Sequence, residues 1–315
     1  VNKIKELESS NPSNPFFLGI GFVKPHTPLY APKKYFDMFP LNEISLPEIK
    51  NGDIDDTHYK DVYPSTEMGL NYYEKLKISF PENEGLKKFL RAYLACVAFM
   101  DDQVGKVLNA LENSLFSENT LVILTSDHGW QMGQKEYLYK NSPWEESTKI
   151  PLIIKTPQKQ TGDVLEPVSL IDIYPTFVDL CNLQKTSSES DLKLDGNSLY
   201  PLLKKPNSKS WAGSDGALTL LGVGINKPIN GLAVNKNKSA PWHIEILKDL
   251  DSSYIEKQNY TIRTRKYRYI LYKDGSEELY NHDNDPKEWN NLSYDKNYQK
   301  LKKKLRKQLL KKLKT

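Results

Sequence analysis

Three short apolar runs constrain the fold of this chain more than any other feature. They are "PFFLGIGFV" (15–23), "TLVILTSD" (120–127) and "IPLIIKTP" (150–157), each of strand length and each closed by polar or proline-containing residues. Their apolar residues are consecutive rather than alternate. That predicts strands covered on both faces, as in a mostly parallel or mixed sheet between layers of helices. Between the first two runs, Leu90, Tyr93, Leu94, Val97, Val104, Leu108 and Leu111 recur at three- and four-residue steps and predict a long helix over about 86–113. "VSLIDIYPTFVDLC" reads as a loop entering a second helix. Strand, helix, strand, strand, helix is the order of an α/β layered domain.

The end of the chain changes type. In "NYTIRTRKYRYILYKDGSEELYNHDNDP", Tyr and Ile recur at every second place around a "KDGS" turn, the pattern of a small antiparallel sheet. Leu301, Leu305, Leu309 and Leu313 then recur every four residues, giving a closing helix with one narrow apolar stripe. The expected division is an α/β part over 1–220, a variable linker over 221–254, and a small α+β subdomain over 255–315. Residues 32–80 lack a clear period and are rich in Pro, Asn, Asp and Tyr, so they read as a long surface excursion over the sheet edge.

The net charge of +4 divides into a body of −5 and a tail of +9, because the last sixteen residues hold nine Lys or Arg and no acid. Two readings of the tail stand open: a docked helix with a solvated lysine face, or contact with a polyanion such as a sulfated glycan, nucleic acid or anionic lipid. No apolar run is long enough to form a membrane-spanning helix. The two cysteines, Cys96 and Cys181, have neither metal-ligand spacing nor partners enough for a disulfide framework, and both read as small buried hydrophobes.

Ligands of α/β sheets gather at the carboxyl ends of strands. Three candidate loops emerge there: "KPHTP", where Pro25 and Pro28 stiffen the backbone around His26, "SDHGW", and the segment from Gly129 to Lys140. An oxygen donor beside an imidazole suits a divalent cation, and Gly129 lets Asp127 and His128 turn toward one point. "SDHG" alone is more often a turn or cap than a metal site.

Taken together, five ordered blocks resemble a known family. They are "PFFLGIGFVKPHTPLYAPKKYFD", "YLACVAFMDDQVGKVLNALE", "NTLVILTSDHGWQMGQKEYLYKNSPWEESTKIPLIIKTP", "LDGNSLYPLL" and "RTRKYRYILYKDGSEELYNHDNDPKEWNNL". From about Pro15 to Leu292 they are similar to the C-terminal two-thirds of a sulfatase of the iduronate-2-sulfatase type, in the alkaline phosphatase superfamily. The resemblance implies that Asp127 and His128 coordinate an active-site Ca²⁺ and that Lys140 holds a sulfate oxygen. It implies that His26 contacts the ester and helps protonate the leaving alcohol. Trp130 would pack on a sugar ring, and Lys24 would join the anion site. The substrate implied is a sulfated carbohydrate, with no specific nucleic-acid partner, and the implied location is periplasmic, secreted or lysosomal.

The family's nucleophile is a formylglycine made within a Cys/Ser-x-Pro/Ala-x-Arg motif. Neither "CVAFM" at Cys96 nor "CNLQK" at Cys181 fits it. The opening "VNKIKELESSNPSNPFF" reads as the interior of a longer protein. The expectation is therefore a chain with half an active site, open sheet edges and no turnover alone, completed by a preceding segment of the same enzyme. Asp101 and Asp102 lie mid-helix, one expected to pack and one to face solvent. His58, His243 and His282 read as surface residues, and Arg263 and Arg265 as strand-surface charges. A phosphodiesterase or phosphonate hydrolase of the same superfamily is the nearest rival. A non-catalytic polyanion-binding protein acting through the tail is the alternative from another class.

Overall fold

The structure, a computed structural model, describes residues 1–10, 12–62, 68–158, 161–183, 194–206, 208–213, 215–222 and 258–313. The expected linker and His243 therefore lie outside the described residues, apart from its first two positions. The described helices are α1 (Asn2–Ser10), α2 (Lys33–Phe36), α3 (Tyr59–Val62), α4 (Met68–Ser79), α5 (Glu84–Glu112), α6 (Glu145–Thr148), α7 (Ile173–Leu180), α8 (Tyr200–Lys204) and α9 (Gln299–Lys312). The strands are β1 (Val122–Thr125), β2 (Gln131–Met132), β3 (Leu138–Tyr139), β4 (Leu152–Lys155), β5 (Ala217–Leu221), β6 (Asn259–Arg263), β7 (Tyr267–Leu271) and β8 (Glu277–Asn281). The class is α/β with a small C-terminal antiparallel sheet and a terminal helix, as the patterning predicts. None of the described helices is long and apolar enough to cross a membrane.

α5 follows directly from its three- and four-residue spacing, and it buries Leu86, Ala95 and Cys96. Mid-helix, Asp102 accepts a 2.6 Å hydrogen bond from the Tyr35 hydroxyl while Asp101 faces solvent, as the pair's position suggests. β1 and β4 pair antiparallel, from Val122 opposite Lys155 to Thr125 opposite Leu152. The first apolar run is a correction. Residues 15–23 make no ladder among the described residues, and Phe17 and Val23 are 83% and 79% exposed. Their composition asks for cover on both faces, but a strand also needs a hydrogen-bonding neighbour, and no described strand pairs with this run.

β5, β6, β7 and β8 form one antiparallel sheet in chain order. Gly275 takes φ +89° in the turn between β7 and β8, a conformation that favours glycine. Because side chains alternate, the sheet presents two apolar faces. Tyr260, Ile262, Tyr269 and Leu279 pack against Leu305 and Leu309 of α9. Ile270, Tyr272 and Tyr280 pack on the other side against Ile54, Tyr59, Leu70, Tyr137 and Trp144. β5, at the end of the expected 1–220 part, belongs to this C-terminal sheet.

Two further corrections follow. The supposed surface excursion 32–80 supplies core: Ile54 and Tyr59 are buried in that second face, and Tyr73 joins Leu86 and Leu138. Its aromatic and aliphatic residues are spaced for packing onto a sheet rather than for a regular helix, which hid them. Cys181 is exposed at the end of α7, whereas Cys96 is buried as expected.

Candidate active site

β1 ends at Thr125, and the chain turns through Ser126, Asp127, His128 and Gly129. Asp127 Oδ1 accepts from the His128 N–H (3.0 Å) and the Ser126 hydroxyl (3.3 Å), which leaves Oδ2 free of both. His128 Nδ1 lies 2.9 Å from the Gly129 carbonyl and donates to it, which leaves Nε2 on the side of Asp127. Asp127 Oδ2 and His128 Nε2 stand 3.4 Å apart. Two electron-pair donors at that separation repel each other unless a proton or cation lies between them. Metal–oxygen distances of about 2.3–2.6 Å place two neighbouring Ca²⁺ ligands about that far apart, so this donor set fits a hard divalent cation. Burial pushes the Asp127 carboxyl up, but the His128 ring and the loop's N–H groups outweigh it and hold it below the usual carboxylate range.

Lys140 reaches the same place through a hairpin. β2 and β3 pair with Gln131 opposite Tyr139, so the flanking Trp130 and Lys140 emerge side by side. The hairpin turns at Gly133 (φ +107°), and Tyr139 holds φ +75° immediately before Lys140. A bulky residue in the left-handed region is uncommon and marks a backbone held by its surroundings. Trp130 stacks on Tyr93 (5.7 Å between centroids) and meets Tyr139 edge-on (5.2 Å). Its indole nitrogen is buried without a hydrogen-bond partner.

The "KPHTP" loop closes the other side. His26 Nδ1 lies 2.5 Å from the Thr27 carbonyl and donates to it, which leaves Nε2 to accept from the Lys140 ammonium at 3.4 Å. The His26 ring also lies 6.3 Å from Trp130, edge-on. Lys24 is engaged within its own loop, donating to the Pro28 carbonyl and, at 3.5 Å, to that of His26. The fold thus brings His26, Trp130 and Lys140 together, with Trp130 two residues after His128, while Lys24 braces the loop that presents His26.

A buried ionic network supports this turn. The Gly129 N–H donates to the Ser147 carbonyl (2.8 Å) and the Trp130 N–H to that of Glu146 (2.7 Å), so α6 holds the turn by its backbone. α6 is in turn fixed from the C-terminal sheet. Arg268, 1% exposed, donates to Glu145, to Glu288 (2.5 Å), to the Pro143 carbonyl and to Thr261. Glu288 also accepts the Glu145 N–H (2.9 Å) and meets His282 at 2.7 Å, while Arg263 pairs with Glu145 at 3.0 Å. Burial pushes Glu288 up, but Arg268 and His282 outweigh it and bring it down to about 2. His282 and Arg263 are thus network members, which corrects their reading as surface residues. His282 and Glu288 are both buried between β8 and α6.

Glu145, His282 and Glu288 present ligand atoms within 4.8 Å of one another, a geometry that a metal ion can use. Two guanidinium groups already neutralise both carboxylates, so the cluster reads as an ion-pair brace. Sequence reasoning missed it, along with the buried Lys135–Asp53 pair (2.8 Å). The one available signal was Arg268 itself, a charge set between aromatic residues in a strand covered on both faces.

Comparison with known proteins gives this geometry its context. The sulfatase family matches residues 1–183, and the C-terminal family of N-sulphoglucosamine sulphohydrolase matches residues 222–315. A sulfatase of Formosa agariphila is 32% identical over 314 residues, covering 96% of this chain and 52% of its own length. Human iduronate 2-sulfatase is 29% identical over 219 residues, covering 58% of this chain and 38% of its own. The chain thus spans about half the length, or less, of the curated relatives it matches. The phosphonate monoester hydrolase of Agrobacterium radiobacter shares the fold, with a TM-score of 0.71 at 23% identity over 98% of this chain and 58% of that one. BT4656, solved with its substrate D-glucosamine-2-N,6-O-disulfate, gives 0.54 at 25% identity over 78% of this chain and 45% of that one. With more than half its length matched by the family and a relative above 30% identity along nearly all of it, this chain belongs to the sulfatase family, within the alkaline phosphatase-like superfamily.

Proposed function

We propose that these residues form the sulfate-holding half of a sulfuric ester hydrolase that removes sulfate from a sulfated sugar or glycan, in the manner of iduronate-2-sulfatase. The observations that support this reading are the Lys140–His26 contact and the Asp127–His128 pair, which lies two residues before the Trp130 that His26 also meets. Asp127 and His128 would hold one divalent cation, Ca²⁺ by its preference for hard oxygen donors. Such an ion supplies Lewis-acid polarisation of the ester oxygens. Lys140 offers a fixed positive charge to a second sulfate oxygen, where spread negative charge builds in the transition state. His26, with Nδ1–H turned to Thr27, presents Nε2, which here accepts from Lys140, as the atom that would hold the proton passed to the leaving alcohol. Trp130 would offer the exposed part of its ring to the sugar, and Lys24 keeps the His26 loop in place. The solved complex of BT4656 with a disulfated glucosamine supports a sulfated sugar as substrate class.

The formylglycine nucleophile and the remaining acidic ligands would come from sequence outside these 315 residues, and the location would be periplasmic, secreted or lysosomal. The test uses the protein as its source makes it, with an aryl sulfate, a sulfated glucosamine and an aryl phosphonate. Sulfate esters should be the faster substrates, and His26→Ala and Lys140→Ala should each lower kcat/KM by about 10²–10³-fold. The 315-residue chain alone should turn over none of them. Preference for the phosphonate, or sulfate turnover by this chain alone, would overturn the reading.

A further inference from the structure

α9 docks by its leucines and leaves a cationic face uncovered. Leu305 and Leu309 are buried on the C-terminal sheet. Three of the tail's cations are committed to the body: Lys302 and Arg306 to Glu277 (2.8 and 3.1 Å), and Lys312 to Asp215 (2.7 Å). Lys300, Lys303, Lys304, Lys307 and Lys311 are exposed and form no ion pair among the described residues. At 1.5 Å per residue they cover about 16 Å along one side of the helix. Lys303, Arg306, Lys307, Leu310 and Lys311 border a shallow depression of 430 Å³ on that side.

We propose that this face binds a linear sulfated polysaccharide, giving the protein a second hold on a polymeric substrate away from the His26–Lys140 site. This inference rests on the sulfated-glycan reading above. Charge complementarity carries it. The rest of the chain is net negative, so a polyanion is repelled elsewhere and drawn to α9. A bilayer is disfavoured because the apolar stripe of α9 is already buried on its own sheet, and surface helices bind membranes through that stripe. Single-stranded nucleic acid is disfavoured because α9 carries no aromatic residue on which bases would stack. Lysines in an open row act as point charges suited to successive sulfate groups.

The experiment is calorimetric titration of the 315-residue chain with size-defined heparin oligosaccharide from 50 to 300 mM NaCl. Single-stranded DNA and vesicles containing one-quarter phosphatidylserine serve as competitors. Lys303→Ser/Lys307→Ser/Lys311→Ser should weaken heparin binding at least about tenfold and make the log K against log salt slope shallower by about two to three. The triple Lys→Arg variant should restore binding, and Asp127→Asn should leave it unchanged. Unaltered binding in the serine variant, loss of binding in Asp127→Asn, or equal affinity for DNA or vesicles would each overturn the proposal. Absence of sulfate hydrolysis by the whole enzyme would sink the functional reading while leaving this binding result to stand or fall separately.

Discussion

Gly129 is where the site depends on the absence of a side chain. A Cβ there would overlap the carbonyl oxygens of Glu146 and Lys149, the α6 backbone that holds the Asp127–His128 turn. Gly129→Ala should therefore weaken divalent-cation binding by about 10- to 100-fold while costing about 1–3 kcal/mol of stability. Terbium luminescence sensitised by Trp130 would measure the first and urea denaturation the second; unchanged terbium affinity would refute the account. Arg268→Ala should be more damaging, by about 3–5 kcal/mol, because it leaves two buried carboxylates facing each other. A loss below 1 kcal/mol in the same denaturation experiment would rule that out. Glu288 sets a pH dependence of definite sign. Its carboxyl is near 2 in the fold against an ordinary 4.5, so its contribution is complete above about pH 5 and is lost as pH falls toward 2. Glu288→Gln should flatten that acid limb of the stability curve, measured by denaturant midpoints between pH 2 and pH 7. At this scale, Asp127, His128, Lys140 and His26 could be singled out because the ordered blocks around them resemble a known family, not because their own spacing marked them. The Arg268–Glu145–Glu288 brace could not, since its charges meet across more than a hundred residues and have no local spacing.

Among the elements, α5 and α9 were readable because a helix repeats its buried face every three or four residues. Leu309 shows the energetic content of that pattern: it is fully buried against the sheet, and Leu309→Ala should cost about 2–5 kcal/mol. Thermal melts of the variant would check this, and a midpoint equal to that of the parent would show the helix to be dispensable. The strand alternation at 259–281 was readable for the same reason, with β6, β7 and β8 falling inside the expected segment. The run at 15–23 was not. Its apolar composition reads as a buried strand, yet the run is largely exposed and unpaired among the described residues, because cover and a hydrogen-bonding neighbour are both properties of the surroundings. The β2–β3 hairpin was equally silent, because two-residue strands give too short an alternation to register.

At the scale of the whole molecule, the C-terminal sheet lies between α9 on one face and the segment around Tyr137 and Trp144 on the other. Trp144 donates its indole N–H to buried Glu278 at 3.0 Å, which joins the segment after Lys140 to β8. Unfolding followed by tryptophan fluorescence and by far-ultraviolet circular dichroism should therefore give one coincident transition. Two separate midpoints would show that the sheet and the strand-end loops come apart independently. The sheet's position in the chain has a consequence for synthesis. Glu145 and Glu288, whose contact steadies α6 and through it the Asp127–His128 turn, are 143 residues apart. A growing polypeptide thus releases its Asp127–His128 turn from the ribosome long before the strands that will brace it. A nascent chain halted before β6 would carry Asp127, His128, Lys140 and His26 and none of their C-terminal support.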